Sequence, residues 1–245
     1  MRNYLLLLTF VLIALASASR AQTPKTAEDF YKRGEERSGS NDVDGAIADY
    51  TKAIELDPKF AAAYCARAHT RPFKKDYAVI ADWDKCISLK PADDKYLFTD
   101  YLERGEAKAD MKDYEGAIAD STKSIDLRPS HWAYQDRSHA YSEKYLIDRQ
   151  NKRSRKAKED FEKALADFDW LMKKIPNYDL YYRQRGQLYS RAGHYSEAIG
   201  DYTKAIELEP KNAEVYKLRA EVYRKLGKKN LAEADEKKAA ELGKK

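Results

Sequence analysis

The sequence predicts an all-α fold: a right-handed superhelical solenoid of about six helix–turn–helix repeats. Three observations predict it. First, Pro58, Pro91, Pro129, Pro176 and Pro210 each close a segment of one pattern, as in AIADYTKAIELDP (46–58), AIADSTKSIDLRP (117–129) and AIGDYTKAIELEP (198–210). Second, a small or apolar residue lies twelve places before each proline (Ala46, Val79, Ala117, Ala164, Ala198). A position that is mostly a ring lies eight before it (Tyr50, Trp83, Ser121, Phe168, Tyr202). Third, Gly34, Gly105 and Gly186 stand 24 residues before their proline, and Phe30, Tyr101 and Tyr182 stand 28 before it. A fixed period of this length marks stacked supersecondary units, none of which buries its apolar faces alone.

Taken in order, the units run over about 27–58, 61–91, 98–129, 131–176, 179–210 and 213–242. The first, third and fifth keep the small, aromatic and proline positions almost throughout. The second is one residue short before Val79. The fourth holds about fourteen extra residues, and the sixth lacks the proline and has Glu233 and Glu236 where the fifth has Ile199 and Tyr202. The fifth unit shows why helical hairpins result. Tyr182, Arg185, Gly186 and Tyr189 fall on one stripe of a helix, and Ala198, Tyr202, Ala205 and Ile206 form the facing stripe. Small residues let two backbones approach while the tyrosine rings fill the gaps beside them. Gly193 supplies a turn after a helix C-terminus, and Pro210 stops the second helix because it cannot extend the hydrogen-bond ladder.

With its spacing of 34 residues between Pro176 and Pro210, the pattern resembles the tetratricopeptide repeat family over roughly residues 27–242. The resemblance implies a superhelix that binds an extended peptide or protein segment on a concave face lined by the first helices. Carried onto this chain, that groove holds Tyr31, Glu35, Cys65, His69, Leu102, Glu106, Gln135, His139, Arg183, Gln187, Lys217 and Glu221, with Arg191 and Arg224 nearby. Chaperone-binding members of the family clamp a terminal carboxylate with Lys and Asn. Here the corresponding first-unit places are Tyr31 and Glu35, so that clamp is absent.

A second regularity runs through the repeats. Each unit has an Arg before its small first-helix residue (Arg33, Arg67, Arg104, Arg137, Arg185, Arg219) and an Asp beside its ring position (Asp49, Asp82, Asp120, Asp167, Asp201, Asp235). We read these as a structural ladder, because they flank the packing seam; a stripe of binding charges is the alternative. Spacing leaves open whether a pair forms within a unit or with the next one.

Residues 1–21 read as a secretory signal peptide. Met1–Asn3 gives a positive start, Tyr4–Ala16 is uncharged and Leu-rich, and Ala18 and Ala21 end two candidate cleavage sites. An uncleaved anchor is the alternative. The mature repeat domain would be residues 22–245, periplasmic or extracellular, and it would meet the membrane only if the N-terminal segment stays in place. In that oxidising setting Cys65 and Cys86 have the chance to pair. We expect two separate thiols: Cys86 replaces the buried Ala53 and Ala205, whereas Cys65 follows Tyr64 and points off the seam. A disulfide needs Cα atoms within about 7 Å.

Charge is uneven. Residues 22–130 carry 18 Lys and Arg against 22 Asp and Glu, while residues 131–245 carry 26 against 19. The insertion in the fourth unit sharpens the contrast: Arg149, Lys152, Arg153, Arg155, Lys156 and Lys158 are grouped with no acid among them. We expect two lengthened helices meeting near Asn151–Ser154 with a solvated basic tip. Contact with phosphate or an anionic surface is the alternative, and the lack of interleaved aromatics argues against nucleic acid. Motifs for acyl transfer, nucleotide binding and zinc hydrolysis are absent, and the four histidines (His69, His131, His139, His194) lack metal-ligand spacing. The expected function is therefore an exported, non-enzymatic protein–protein interaction scaffold without a cofactor or metal. A binder of an envelope glycan, lipid or peptide fragment, or of an anionic surface through residues 149–158, is the alternative.

Overall fold

The computed structural model describes residues 24–71 and 77–243. Among them are twelve helices and no strands. They are α1 (Ala27–Gly39), α2 (Val43–Leu56), α3 (Ala61–Thr70), α4 (Tyr77–Leu89), α5 (Leu97–Asp110), α6 (Tyr114–Leu127), α7 (His131–Gln150), α8 (Ser154–Lys174), α9 (Asp179–Ala192), α10 (Tyr195–Leu208), α11 (Ala213–Lys225) and α12 (Lys229–Leu242). The chain divides into two compact units, Met1–Pro72 and Phe73–Lys245. In the first, α1 and α2 form a hairpin and α3 packs on both. In the second, α5–α6, α7–α8, α9–α10 and α11–α12 are hairpins, each stacked on the next through its second helix. The expected all-α helical repeat fold is the one observed. The expected signal segment, residues 1–21, lies outside the described residues, among which no helix is long and apolar enough to cross a membrane.

The prolines act as expected. Helices α2, α4, α6, α8 and α10 all end two residues before a proline. The residue between is extended at Asp57 (φ −135°, ψ 96°) and Arg128 (φ −156°, ψ 104°) and non-helical at Ile175 and Glu209, because the proline ring crowds a helical conformation at the preceding residue. Starts are fixed by side chains. Thr26 and Asp29 form a reciprocal capping box on α1, and Asp42 and Asp113 accept the amides of Gly45 and Gly116 on α2 and α6. Gly193 closes α9 with φ +89°, a left-handed conformation open to glycine at no steric cost.

The core is a thin layer between facing helices. In the fourth and fifth repeats Phe168, Leu171, Tyr181 and Leu188 are buried together, with Tyr134 and Trp170 packed beside them. In the last two, Ala198, Tyr202, Ala205, Val215 and Val222 do the same. Each fully buried large side chain contributes about 1.5–3 kcal/mol. The hairpin seam depends on missing side chains: a Cβ on Gly186 would lie 2.8 Å from Tyr202 Cε1, whereas one on Gly105 would meet its nearest atom, Asp120 Cβ, at 3.2 Å. The difference arises because Ser121 replaces the ring in the third repeat. Gly186→Ala should therefore overpack the seam and cost about 1–3 kcal/mol. Gly105→Ala should stay within about 1 kcal/mol of wild type, the gain in helix propensity offsetting mild crowding. Urea midpoints compare the two directly, and equal losses would show that the ring contact is not the cause.

One expectation is corrected. Neither Cys65 nor Cys86 is a free thiol; both are disulfide-bonded. Helical periodicity sets the direction in which a side chain leaves its own helix. It carries no information about how far apart two helices run, and a disulfide depends on that distance.

Candidate functional site

The Arg–Asp ladder resolves into a repeated geometry. In Arg33–Asp49, Arg104–Asp120, Arg137–Asp167, Arg185–Asp201 and Arg219–Asp235, Nε donates to one carboxylate oxygen and Nη2 to the other. Each such pair joins the two helices of one hairpin. The remaining nitrogen, Nη1, reaches back to the preceding hairpin: Arg67 to Thr51 (3.0 Å), Arg104 to Asp84 (2.8 Å), Arg137 to Thr122 (3.2 Å), Arg185 to Asp169 (2.8 Å) and Arg219 to Thr203 (2.9 Å). Every acceptor stands two residues after a ladder Asp, one helical position that keeps an oxygen-bearing side chain. One planar guanidinium thus sets both the angle within a hairpin and its register on its neighbour. Asp82 is buried at the matching place on α4. These residues are occupied by the fold itself.

Once those are set aside, the first helices of the second unit present two electrostatic regions. On α5 and α7, Glu103 and Glu106 face Asp136. Burial, reinforced by Glu106 and Glu103, pushes the Asp136 carboxyl up to about 7. Burial also raises Glu103 and Glu106, with help from neighbouring acids. Leu102 and Gln135 lie half-buried on these helices. On α7 and α9, a recess of about 270 Å³ gathers four predicted groove residues, His139, Arg183, Gln187 and Arg191, with Ser142, Glu143, Leu146, Gln184 and Leu188. Its arginines are held in place: Arg183 donates to Glu214 (2.6 Å) and Arg191 to Glu143 (2.8 Å). Two buried atoms of residues lining this recess, Arg183 Nε and Gln184 Oε1, have no hydrogen-bond partner among the described residues.

Lys217, Glu221 and Arg224 line a separate, shallower recess with Glu214, Leu218 and Glu236, where Arg224 pairs with Glu236 at 2.6 Å. In the first unit, Tyr31 donates to Glu35 (2.9 Å) and packs its ring against Tyr50 and Phe60; His69 is exposed and Cys65 is half-buried. At the tip, α7 and α8 meet across Asn151–Arg153. Arg149 is bonded to Tyr145 and to the Arg191 carbonyl, Arg153 to Asp148 and Arg155 to Glu159, and Lys158 pairs with Glu162. Lys152 and Lys156 have no such partner among the described residues. The sequence reading missed Ser142, Glu143, Gln184 and Leu188. The i, i+3, i+4 spacing of His139, Ser142 and Glu143 was the available signal.

Comparison with known families fits this geometry. A family model described as "TPR repeat" matches residues 40–71 and 186–227, and a "Tetratricopeptide repeat" model matches residues 101–131. Over those segments the chain carries tetratricopeptide repeats. Among curated relatives, a UDP-N-acetylglucosamine–peptide N-acetylglucosaminyltransferase of Giardia intestinalis is 30% identical over 122 residues, covering 48% of this chain and 7% of that protein. The small glutamine-rich tetratricopeptide repeat-containing protein 2 of Saccharomyces cerevisiae is 31% identical over 108 residues, covering 44% and 30%. The chain thus spans less than a third of either relative. Among solved structures, YrrB, a TPR protein with an unusual peptide-binding site, superposes with a TM-score of 0.64 at 17% identity, covering 77% of this chain and 89% of that one. PilW, a type IV pilus biogenesis factor, gives 0.63 at 15% identity, covering 87% and 91%. At these identities the likeness is one of fold. Tetratricopeptide repeats are protein–protein interaction scaffolds, and their partners are proteins or peptides.

Proposed function

We propose that this chain is an exported scaffold that holds an extended segment of a protein partner along the first helices of its second unit. The observation that carries the reading is the α7–α9 recess, with a buried donor, Arg183 Nε, and a buried acceptor, Gln184 Oε1, both unpartnered. A buried polar group without a partner costs about 1–3 kcal/mol. A peptide main chain presents a carbonyl and an amide together, so it would satisfy both. The acidic group at Glu103, Glu106 and Asp136 and the arginines of the recess would orient the segment by charge. The peptide-binding site named for YrrB is in keeping with this use of the fold.

The test is capture of the partner by the mature protein from extracts of its own envelope. Charge reversal at Arg183, Arg191 and Lys217 should abolish capture. Replacing Lys152, Arg153, Arg155 and Lys156 by Ser should leave most of it, since tip charges mainly change association rate and salt dependence. Loss in the tip variant with retention in the groove variant would overturn the groove reading in favour of an anionic surface. Export is tested separately: the secreted chain should begin at Gln22 or Ser19 by mass spectrometry, and an intact Met1 would sink it.

A further inference from the structure

A further recess lies where the ends of α6 and α8 meet the starts of α5 and α7. It has a volume of about 570 Å³ and is walled by Phe98, Arg128, Trp132, Trp170, Lys174 and Ile175. Its aromatic surface is layered. Tyr134 stacks on Trp170 (centroids 3.8 Å apart, rings within 12°), which holds the indole rigid. Trp132, next to His131 with ring centroids 4.5 Å apart, leaves 57% of its surface in water. Two cations stand over these walls: Arg128 lies 4.9 Å from the Phe98 centroid and Lys174 5.7 Å from that of Trp170.

What sets this recess apart is the state of its charges. The arginines of the α7–α9 recess are already paired with Glu214 and Glu143. Arg128 and Lys174 have no carboxylate partner among the described residues, and no acid lines the recess. A large exposed indole beside two exposed cations that no acid neutralises offers both an apolar and an electrostatic contact to an acidic partner. Tryptophan and arginine are also the residues that dominate binding hot spots.

We propose that this rim recess is a docking site for an acidic peptide segment anchored by one aromatic or large apolar side chain. The anchor enters between Trp132, Trp170 and Ile175, and its acidic neighbours meet Arg128 and Lys174. A sugar of similar size fits the chemistry less well. Its hydroxyls need acceptors, yet no Asp, Glu, Asn or Gln lines the recess, and the Ser130 hydroxyl already caps α7 by accepting the Ala133 amide at 3.2 Å.

The experiment uses the three indole N–H resonances of the ¹⁵N-labelled full chain (Trp83, Trp132, Trp170). The probe is an end-blocked hexapeptide of acidic residues around a central Phe. It should shift the Trp132 and Trp170 signals and leave Trp83, the internal control for folding, in place. Trp132→Ser removes an exposed ring and Lys174→Glu reverses an exposed charge, so neither disturbs the core. Each should weaken binding on the order of tenfold, as should replacing the central Phe of the probe by Ala. The proposal is overturned if neither indole moves, if a basic hexapeptide around Phe moves them equally, or if an oligogalacturonide moves them and the acidic peptide does not. The Arg183, Arg191 and Lys217 reversal should leave this binding unchanged; equal loss there would place the peptide in the first-helix groove instead and overturn the rim site.

Discussion

Replacing Asp201 by Ala is expected to destabilise the protein by about 3–5 kcal/mol, the cost of leaving a buried charge without its partner. Asp201 is 6% exposed and takes both Arg185 Nε (2.9 Å) and Nη2 (2.8 Å). Without it, the guanidinium keeps only Asp169, whose side chain is 69% exposed. Asp179, at the start of α9, makes only a long contact of 3.5 Å with Asn212, so Asp179→Ala should cost about 0–1 kcal/mol. A second substitution separates the pair from its surroundings. Arg185→Met in the Asp201→Ala background should recover much of the loss, because it removes the stranded cation and keeps the aliphatic stem. Urea denaturation of the four chains closes the cycle. Equal effects at Asp201 and Asp179 would show that the ladder is not what holds the two helices of a hairpin together.

Asp136→Asn is expected to stabilise the protein increasingly as pH rises above about 4 and to have little effect near pH 3. Partial burial, reinforced by Glu106 and Glu103, pushes the Asp136 carboxyl up to about 7, whereas an unfolded chain loses that proton near 3.9. The folded state therefore binds the extra proton between those values. Stability from this group is present at low pH and falls as pH rises towards 7, beyond which the native chain carries a poorly solvated charge. Asn resembles the protonated form at every pH. The difference in unfolding free energy between variant and wild type should grow from near zero at pH 3 to on the order of 2–4 kcal/mol at pH 8. A gap that stays flat over this range would mean that water reaches the carboxyl. The same site bears on binding, since a basic segment laid across Glu103, Glu106 and Asp136 would draw the proton off and bind more tightly as pH rises.

Much of this was legible in the residues. Five prolines fixed where second helices end, through a steric rule that acts within two residues of each. The glycine and ring positions named the seam, since a 2.8 Å clearance at Gly186 admits no side chain. The ladder was visible as residue types at fixed places because one geometry recurs in hairpin after hairpin. Other features were illegible for a shared reason. The back-reaching Nη1 bonds, the disulfide, the proton held by Asp136 and the aromatic rim around Trp132 all depend on distances between helices remote in sequence.

The sequence by itself determined the helical hairpin, its period and its small-residue seam, because each follows from backbone geometry and from contacts within about one repeat. The tertiary structure alone decided which charges are consumed by packing and which are left for a partner. Arg185 and Arg128 carry the same guanidinium, but one is locked between Asp201 and Asp169, while the other stands over Phe98 with no carboxylate beside it among the described residues. Only folding places the acid that neutralises the first and leaves the second in want of one.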